Sequence, residues 1–474
     1  MKRLIGVLLA AVMLMAFLAA CTPTETPTEP PSEVPPSETV SEVPSTSPSP
    51  SDESEDPGEP EEQELNIAIF QGGYGPEFWE EIIKRFEADN PGVTVNMQIS
   101  PEIGDIIRPQ IVAGDVPDFL NMNDNDQTGV VLSLIQDNGL LDITDVFNGP
   151  QYDSDAPLKD KIIDGFLESA KCAPYGDGKI YLGPSNAGPM GLVYNKNLFE
   201  QQGWSVPVTW DDFFALGDLA KAEGISLLTY QGIYPGYMES VLFPAIASKI
   251  GLEDFKKITS YQPGIWTDPR VVSVLEQFAK IYSGGYLMPG TVALNHTQSQ
   301  TDQMNDKALF IPNGTWMENE MEDAERAEGY RFALTPPPVD SAGATRYIMS
   351  SVEQFSIPAS AKNPELAKRF MRFIYTDDAI KLYAELCGAV MATNNALDLV
   401  SQYLTDGVAG MFGSYSEPNA AAIIVGFDAV PEGSNIVPGD EIFQPLSDVM
   451  TGSMTAQEWA ESIDQAYQDI QAGR

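Results

Sequence analysis

Residues Gly178 to Leu198 read G-K-I-Y-L-G-P-S-N-A-G-P-M-G-L-V-Y-N-K-N-L. A Gly-rich turn opens the stretch, and Gly183 to Pro189 forms a permissive segment that tolerates a backbone bend. Met190 to Tyr194 is a short apolar strand, and Asn195-Lys196-Asn197 opens a helix. Glycines and prolines at this density fit a long surface loop or a crossover between lobes. The position decides for a crossover, because an α/β-patterned half of the chain lies on either side. Glu353 to Ile357 has the character of a second crossing.

Outward from that stretch, strands and helices alternate. Leu65 to Phe70 is a first strand. The helix after it carries Phe78, Trp79, Ile82, Ile83 and Phe86 on one face and stops at Asn90-Pro91-Gly92. Val93 to Ile99 and Phe119 to Met122 are strands, with a short helix at Ile106 to Val112 between them. Beyond the crossover, Thr209 to Asp212 and Thr455 to Glu458 fit capping boxes, each ahead of an apolar helical stripe. Ile225 to Tyr230, Lys307 to Pro312 and Phe332 to Thr335 are further strands, and Val271 to Tyr282 is helical by period. Such alternation predicts an α/β fold with mostly parallel sheets.

The 474-residue chain begins with Lys2 and Arg3 ahead of an apolar run, Leu4 to Leu18, too short to span a bilayer. The run ends Leu18-Ala19-Ala20-Cys21, which resembles the lipobox of bacterial lipoproteins. By that resemblance residues 1–20 are a signal peptide, and Cys21 becomes the lipidated N-terminus that ties the protein to a membrane. Of the 43 residues from 22 to 64, 13 are acidic, 11 are proline and none is Lys or Arg. So little apolar surface cannot offset ordering entropy, and the segment is expected to be a disordered stalk.

The body from 65 to 474 holds 24 basic and 56 acidic residues, a net −32. Its length suits two domains or one bilobed unit. A surface this acidic repels nucleic acid and anionic lipid and favours neutral or cationic ligands. Cys172 and Cys387 either pair or remain buried thiols.

Catalytic and metal chemistry find little support. The only histidine is His296, which removes most His-based metal sites and leaves one general base for a Ser-His-Asp triad. Asp124 to Gly129 imitates half a calcium loop, but the twelfth position is Ile135, which cannot supply the bidentate carboxylate. Neither cofactor nor metal is expected. Carboxylate pairs suited to glycoside hydrolysis arise by chance among 56 acids and carry no information.

The aromatic residues say more. Tyr74, Tyr230, Tyr234, Tyr237, Trp266 and Trp316 all sit in or beside Gly/Pro-rich loops at strand ends. Each offers a flat apolar face with a polar edge, suited to a sugar ring. Any one of them can instead pack under its loop. As a set at strand ends, where α/β proteins bind ligands, they point to a site.

Several stretches in fixed order resemble the extracellular solute-binding proteins (family 1) of ABC sugar importers. They are Phe86 to Val95, Pro117-Asp118, Gly139 to Thr144, Val193 to Phe199, Val208 to Asp212, Ala308 to Trp316 and Ser360 to Ala367. Gln202 to Tyr237 is most similar to members assigned to N-acetylglucosamine and chitobiose. Met122 and the absence of an acid in 187–190 depart from the maltodextrin binders of the family.

The resemblance implies a two-lobed periplasmic-binding-protein-like fold of type II, with a ligand cleft between lobes joined by hinge crossovers. Residues 65–186 and 354–410 would form one lobe, and 187–353 and 411–474 the other. The implied partners are a carbohydrate ligand and the permease and ATPase subunits of an ABC importer, with the protein itself monomeric and non-catalytic. The implied site comprises Tyr74, Asn123, Asp124, Tyr230, Tyr234, Tyr237, Trp316 and Glu353. A surface glycoside hydrolase and a protein-binding adhesin are the alternatives from other classes.

Overall fold

A computed structural model describes residues 62–123, 128–431 and 434–473. The signal and lipobox readings, Cys21 among them, and the stalk up to residue 61 lie outside the described residues, as do residues 124–127, Asp124 included; the stalk's expected end at 64 is corrected, because Gln63 and Glu64 already pair with Val93 and Thr94 in a strand.

Two sheets organise the body. The first contains β1 (Gln63–Phe70), β2 (Val93–Ser100), β3 (Phe119–Asn121) and β4 (Leu182–Pro184). The chain then passes to the second sheet as β5 (Gly188–Asn195), and continues there as β6 (Ser226–Leu228), β7 (Ala308–Gly314), β8 (Phe332–Thr335) and β9 (Arg346–Ser351). It returns to the first sheet for β10 (Gln354–Ser356) and ends in the second with β11 (Ala420–Ile423). The strand orders are β2-β1-β3-β10-β4 and β11-β9-β5-β7-β6, with β8 also on β5.

The expectation of mostly parallel sheets needs correction. β1 pairs in parallel with β2 and β3, but β10 runs antiparallel to both its neighbours. β5 is antiparallel to β7, β8 and β9. The cause is the crossing itself: β5 and β10 enter their sheets from the other lobe instead of through a covering helix, so the parallel βαβ geometry does not apply to them.

The opening stretch is also straighter than its composition suggests. Gly183 and Pro184 belong to β4, Gly188 and Pro189 to β5, and only residues 185–187 bridge them. Close approach explains Gly188 better than bending does. A Cβ there would sit 2.6 Å from Thr315 Oγ1. Likewise β7 runs on through Asn313 and Gly314, whereas β6 is limited to Ser226–Leu228.

Helices cover the sheets where the apolar stripes require it. Glu77–Asp89 buries Phe78, Trp79, Ile82, Ile83 and Phe86, as its spacing predicts. Both expected capping boxes form, at Thr209 with Asp212 and at Thr455 with Glu458. The short helix before β3 starts earlier than expected, at Ile103.

Two large apolar cores result. One gathers residues from Leu65 to Ala187 and from Val352 to Val400; the other runs from Met190 to Met349 and resumes from Ile423 to Ile470. The helix Asp406–Phe412 already packs on β8 and places Met411 in a satellite of the second core. Cys172 and Cys387 are both buried and are not joined in a disulfide.

The crossings are laced together. Ser185 N donates to Glu353 O at 2.8 Å, and Glu353 N donates to Asn186 Oδ1 at 3.0 Å. Ala187 N reaches Val390 O at 3.0 Å, and Ala392 N reaches Ser185 O at 3.2 Å. A hinge of this kind bends at few residues while its hydrogen bonds keep the two sheets in register.

Candidate functional site

The site lies where the loop after β1 meets the short helix after β7. That loop, Gln71 to Pro76, belongs to the first lobe; the helix Trp316–Glu320 belongs to the second. A Cβ on Gly73 would sit 3.2 Å from Glu320 Cβ and 3.4 Å from Trp316 Cβ, so the two elements touch. Asn319 Nδ2 donates to Gly73 O at 2.5 Å.

Tyr74 is buried and points into the same junction. The Thr315 side chain of the second lobe lies near its hydroxyl. Burial, with Glu353 adding to it, pushes that hydroxyl well above the usual tyrosine range. Its ring meets Tyr383 edge-on, with centroids 6.0 Å apart. Trp316 is half-buried and packs against both cores at once. Gly314 makes room for it: a Cβ there would lie 2.1 Å from the Trp316 ring.

Glu353 sits on the second crossing, half-buried. Desolvation raises its carboxyl to about 7, and the groups that feel its charge are Tyr74, Tyr383 and Cys387. Tyr234 and Tyr237 are half-exposed on the second lobe. Tyr234 lies 5.4 Å from the His296 ring. Tyr237 is held above the usual tyrosine range by burial and, next, by Glu320.

Two of the loop aromatics are placed differently. Tyr230 and Trp266 are both fully buried in the second core. Tyr230 lies two residues beyond the end of β6 and is turned inward, and its hydroxyl has no partner among the described residues. Asn123 is half-buried at the end of β3, and its Oδ1 is enclosed without a hydrogen-bond partner among the described residues.

The structure adds residues that the loop reading passes over. Glu320 accepts from Gln300 Nε2 at 3.2 Å and faces His296 Nε2 at 3.7 Å. Burial raises its carboxyl above the ordinary range, and His296 lowers it. The signal was available: Glu320 is four residues after Trp316, hence on the same helix face. A cavity of about 450 Å³ opens here, and Glu77, Asn319, Glu320 and Glu322 are among its lining. That volume suits a small ligand. A second cavity of about 430 Å³ lies apart from the cleft, where Lys368 is already paired with Asp145.

Among the described residues, no group of three His, Cys, Asp or Glu is placed to hold a metal, and no helix is long and apolar enough to cross a membrane. The arrangement offers aromatic faces, carboxylates and amides around a closable gap, which equips it to hold a polar molecule with flat apolar faces.

Comparison with known proteins agrees with that chemistry. The family described as bacterial extracellular solute-binding protein matches residues 72–381. The diacetylchitobiose binding protein of Streptomyces coelicolor is 27% identical over 321 residues, 66% of each chain, so this chain spans just under two thirds of that relative. A multiple sugar-binding protein of Streptococcus mutans is 23% identical over 317 residues, 66% of this chain and 71% of that one. Among solved structures, a chitin oligosaccharide binding protein superposes with a TM-score of 0.67 at 18% identity, covering 87% of this chain and 100% of the other. RafE in complex with raffinose gives 0.62 at 20% identity, covering 86% and 99%. At these identities the solved structures establish a shared two-lobed α/β fold.

Proposed function

Because this chain belongs to the bacterial extracellular solute-binding protein family, we propose that its cleft takes up a mono- or oligosaccharide outside the membrane and delivers it to an ABC importer. N-acetylglucosamine and chitobiose are the leading candidates, supported by the Streptomyces relative. The protein acts as a monomer, is tethered through lipid on Cys21, and hands its cargo unaltered to the permease while the ATPase subunits drive transport. Trp316 and Glu353, with Tyr74, Tyr234, Tyr237, Asn123 and Asp124, are the proposed contacts.

One observation carries this reading: Trp316 stands at the junction of both cores, where closing lobes bring a flat aromatic face onto a guest. Stacking a sugar face that hides about 50 Å² contributes roughly 1 kcal/mol, and each polar contact about 0.5–1.5 kcal/mol. Several such contacts reach a micromolar dissociation constant, about −8 kcal/mol.

The test is calorimetry with chitobiose. Trp316→Ala is expected to weaken binding at least tenfold, about 1.4 kcal/mol. Chitobiose incubated with the protein should be recovered uncleaved. Equal affinity in the variant would remove Trp316 from the site, and cleavage would sink the transport reading.

A further inference from the structure

Trp316 and Glu320 both face Gly73 of the first lobe, and Glu318, two residues after Trp316, projects from the far side of the same helix. There its Oε2 accepts from the Thr405 hydroxyl at 2.8 Å. Glu318 is half-buried; burial holds its carboxyl above the ordinary range, and the Thr405 bond works against that shift. Thr405 Oγ1 in turn accepts from Val408 N at 3.1 Å, so one hydroxyl both caps the helix Asp406–Phe412 and holds Glu318. Gly407 makes room for the carboxylate: a Cβ there would lie 2.1 Å from Glu318 Oε2.

The segment that Glu318 grips is in touch with both cores. Leu404, just before Thr405, packs against the first core, and so does Phe412. Met411 lies in the satellite of the second, together with Met317 and Met321 from the helix of Trp316 and its end. Unbranched methionine side chains re-pack around a shifted neighbour at little cost, so this apolar contact lets one helix slide on the other. A hydrogen bond to a carboxylate is directional and does not. The Glu318–Thr405 bond therefore sets the register between the two helices.

We propose that Glu318 is a positioning residue for ligand uptake: by holding Thr405 it makes the Trp316 face travel with the 404–412 segment, so that lobe closure and presentation of that face are a single event. The proposal rests on the saccharide reading above and on Trp316 as its stacking face. Glu318, on the far side of the helix, does not touch the guest. Without the bond the lobes still close, but the helix settles on its methionine bed in several positions, of which only some stack. Affinity then falls by the fraction of molecules whose Trp316 is in place.

The experiment is calorimetry on the whole protein in a double-mutant cycle with Trp316→Ala, using chitobiose or, if it is not bound, the tightest binder of a saccharide panel. Glu318→Ala is expected to weaken binding about fivefold. Glu318→Gln, which keeps an acceptor for the Thr405 hydroxyl, should weaken it less than twofold. Placed on Trp316→Ala, Glu318→Ala should change affinity by less than twofold, since no stacking face is left to position. A general loosening of the lobe would instead cost the same in both backgrounds. If Glu318→Ala does not fold, Gly407→Ala favours the helix it sits in, displaces the carboxylate, and should show the same pattern. A loss below twofold beside the native Trp316, or an undiminished loss beside Trp316→Ala, overturns the proposal and leaves the saccharide reading standing. No binding across the panel overturns both.

Discussion

Glu353 shows how a single position serves both hinge and cleft. Its main chain is bonded to residues 185 and 186 of the first crossing, while its carboxyl stands among Tyr74, Tyr383 and Cys387 without a basic partner in the described surroundings. Burial raises that carboxyl from its ordinary 4.5 to about 7. Between those values the folded protein holds a proton that the unfolded chain releases, so this group's contribution is favourable below about 4.5 and is lost as pH rises through about 7. Glu353→Gln is therefore expected to raise the melting temperature at pH 8 and to change it little at pH 5, read by differential scanning calorimetry. An equal change at both values would remove the titration from the explanation. The single-residue reading of the sequence was uneven for a physical reason. Trp316 follows Gly314-Thr315 at a strand end and stands half-buried between the two cores, whereas Tyr230 has a similar sequence setting and turns inward. A loop aromatic's direction depends on the strand pleat beneath it, and β6 ends two residues earlier than its composition suggests.

Helices were the most legible elements, because their stripes and caps are local. The C-terminal helix Ala456–Ala472 has its capping box and buries Trp459, Ile463, Tyr467 and Ile470, the residues its spacing selects. Trp459 is fully buried, and its Nε1 donates to Ile442 O at 2.8 Å, tying the end of the chain into the second core. Trp459→Ala should cost about 3–5 kcal/mol in urea unfolding, from lost packing and an orphaned carbonyl. A loss below about 1 kcal/mol would mean the helix is dispensable to that core. Strands were less legible. β9 and β11 go without a signal and β10 was legible only as a crossing, because their partners are remote in sequence. β10 finds its partners at Asn121 and Gly183, more than 150 residues away, and no local pattern encodes such a pairing.

At the scale of the whole molecule, contacts among the described residues that join the two lobes away from the crossings include Asn319 to the carbonyl of Gly73, and Ala429 N to the carbonyl of Pro174. Both hold the lobes together, so closure is a balance between such bonds and the hinge. Asn319→Ala is expected to enlarge the radius of gyration of the unliganded protein in X-ray scattering, with a bound saccharide restoring the compact form. Identical curves for wild type and variant would show that this contact does not set the balance. The bilobed arrangement and the first crossing were readable in the sequence; the mixed strand directions and the acidic cavity were not, since both arise only when distant segments meet. The interleaving has a last consequence, in time. The first sheet needs β10 between β3 and β4, so it lacks an interior strand until residue 356 has been made. An emerging chain therefore cannot complete its first sheet until about three quarters of it has been made, which puts a long-range pairing late in its folding.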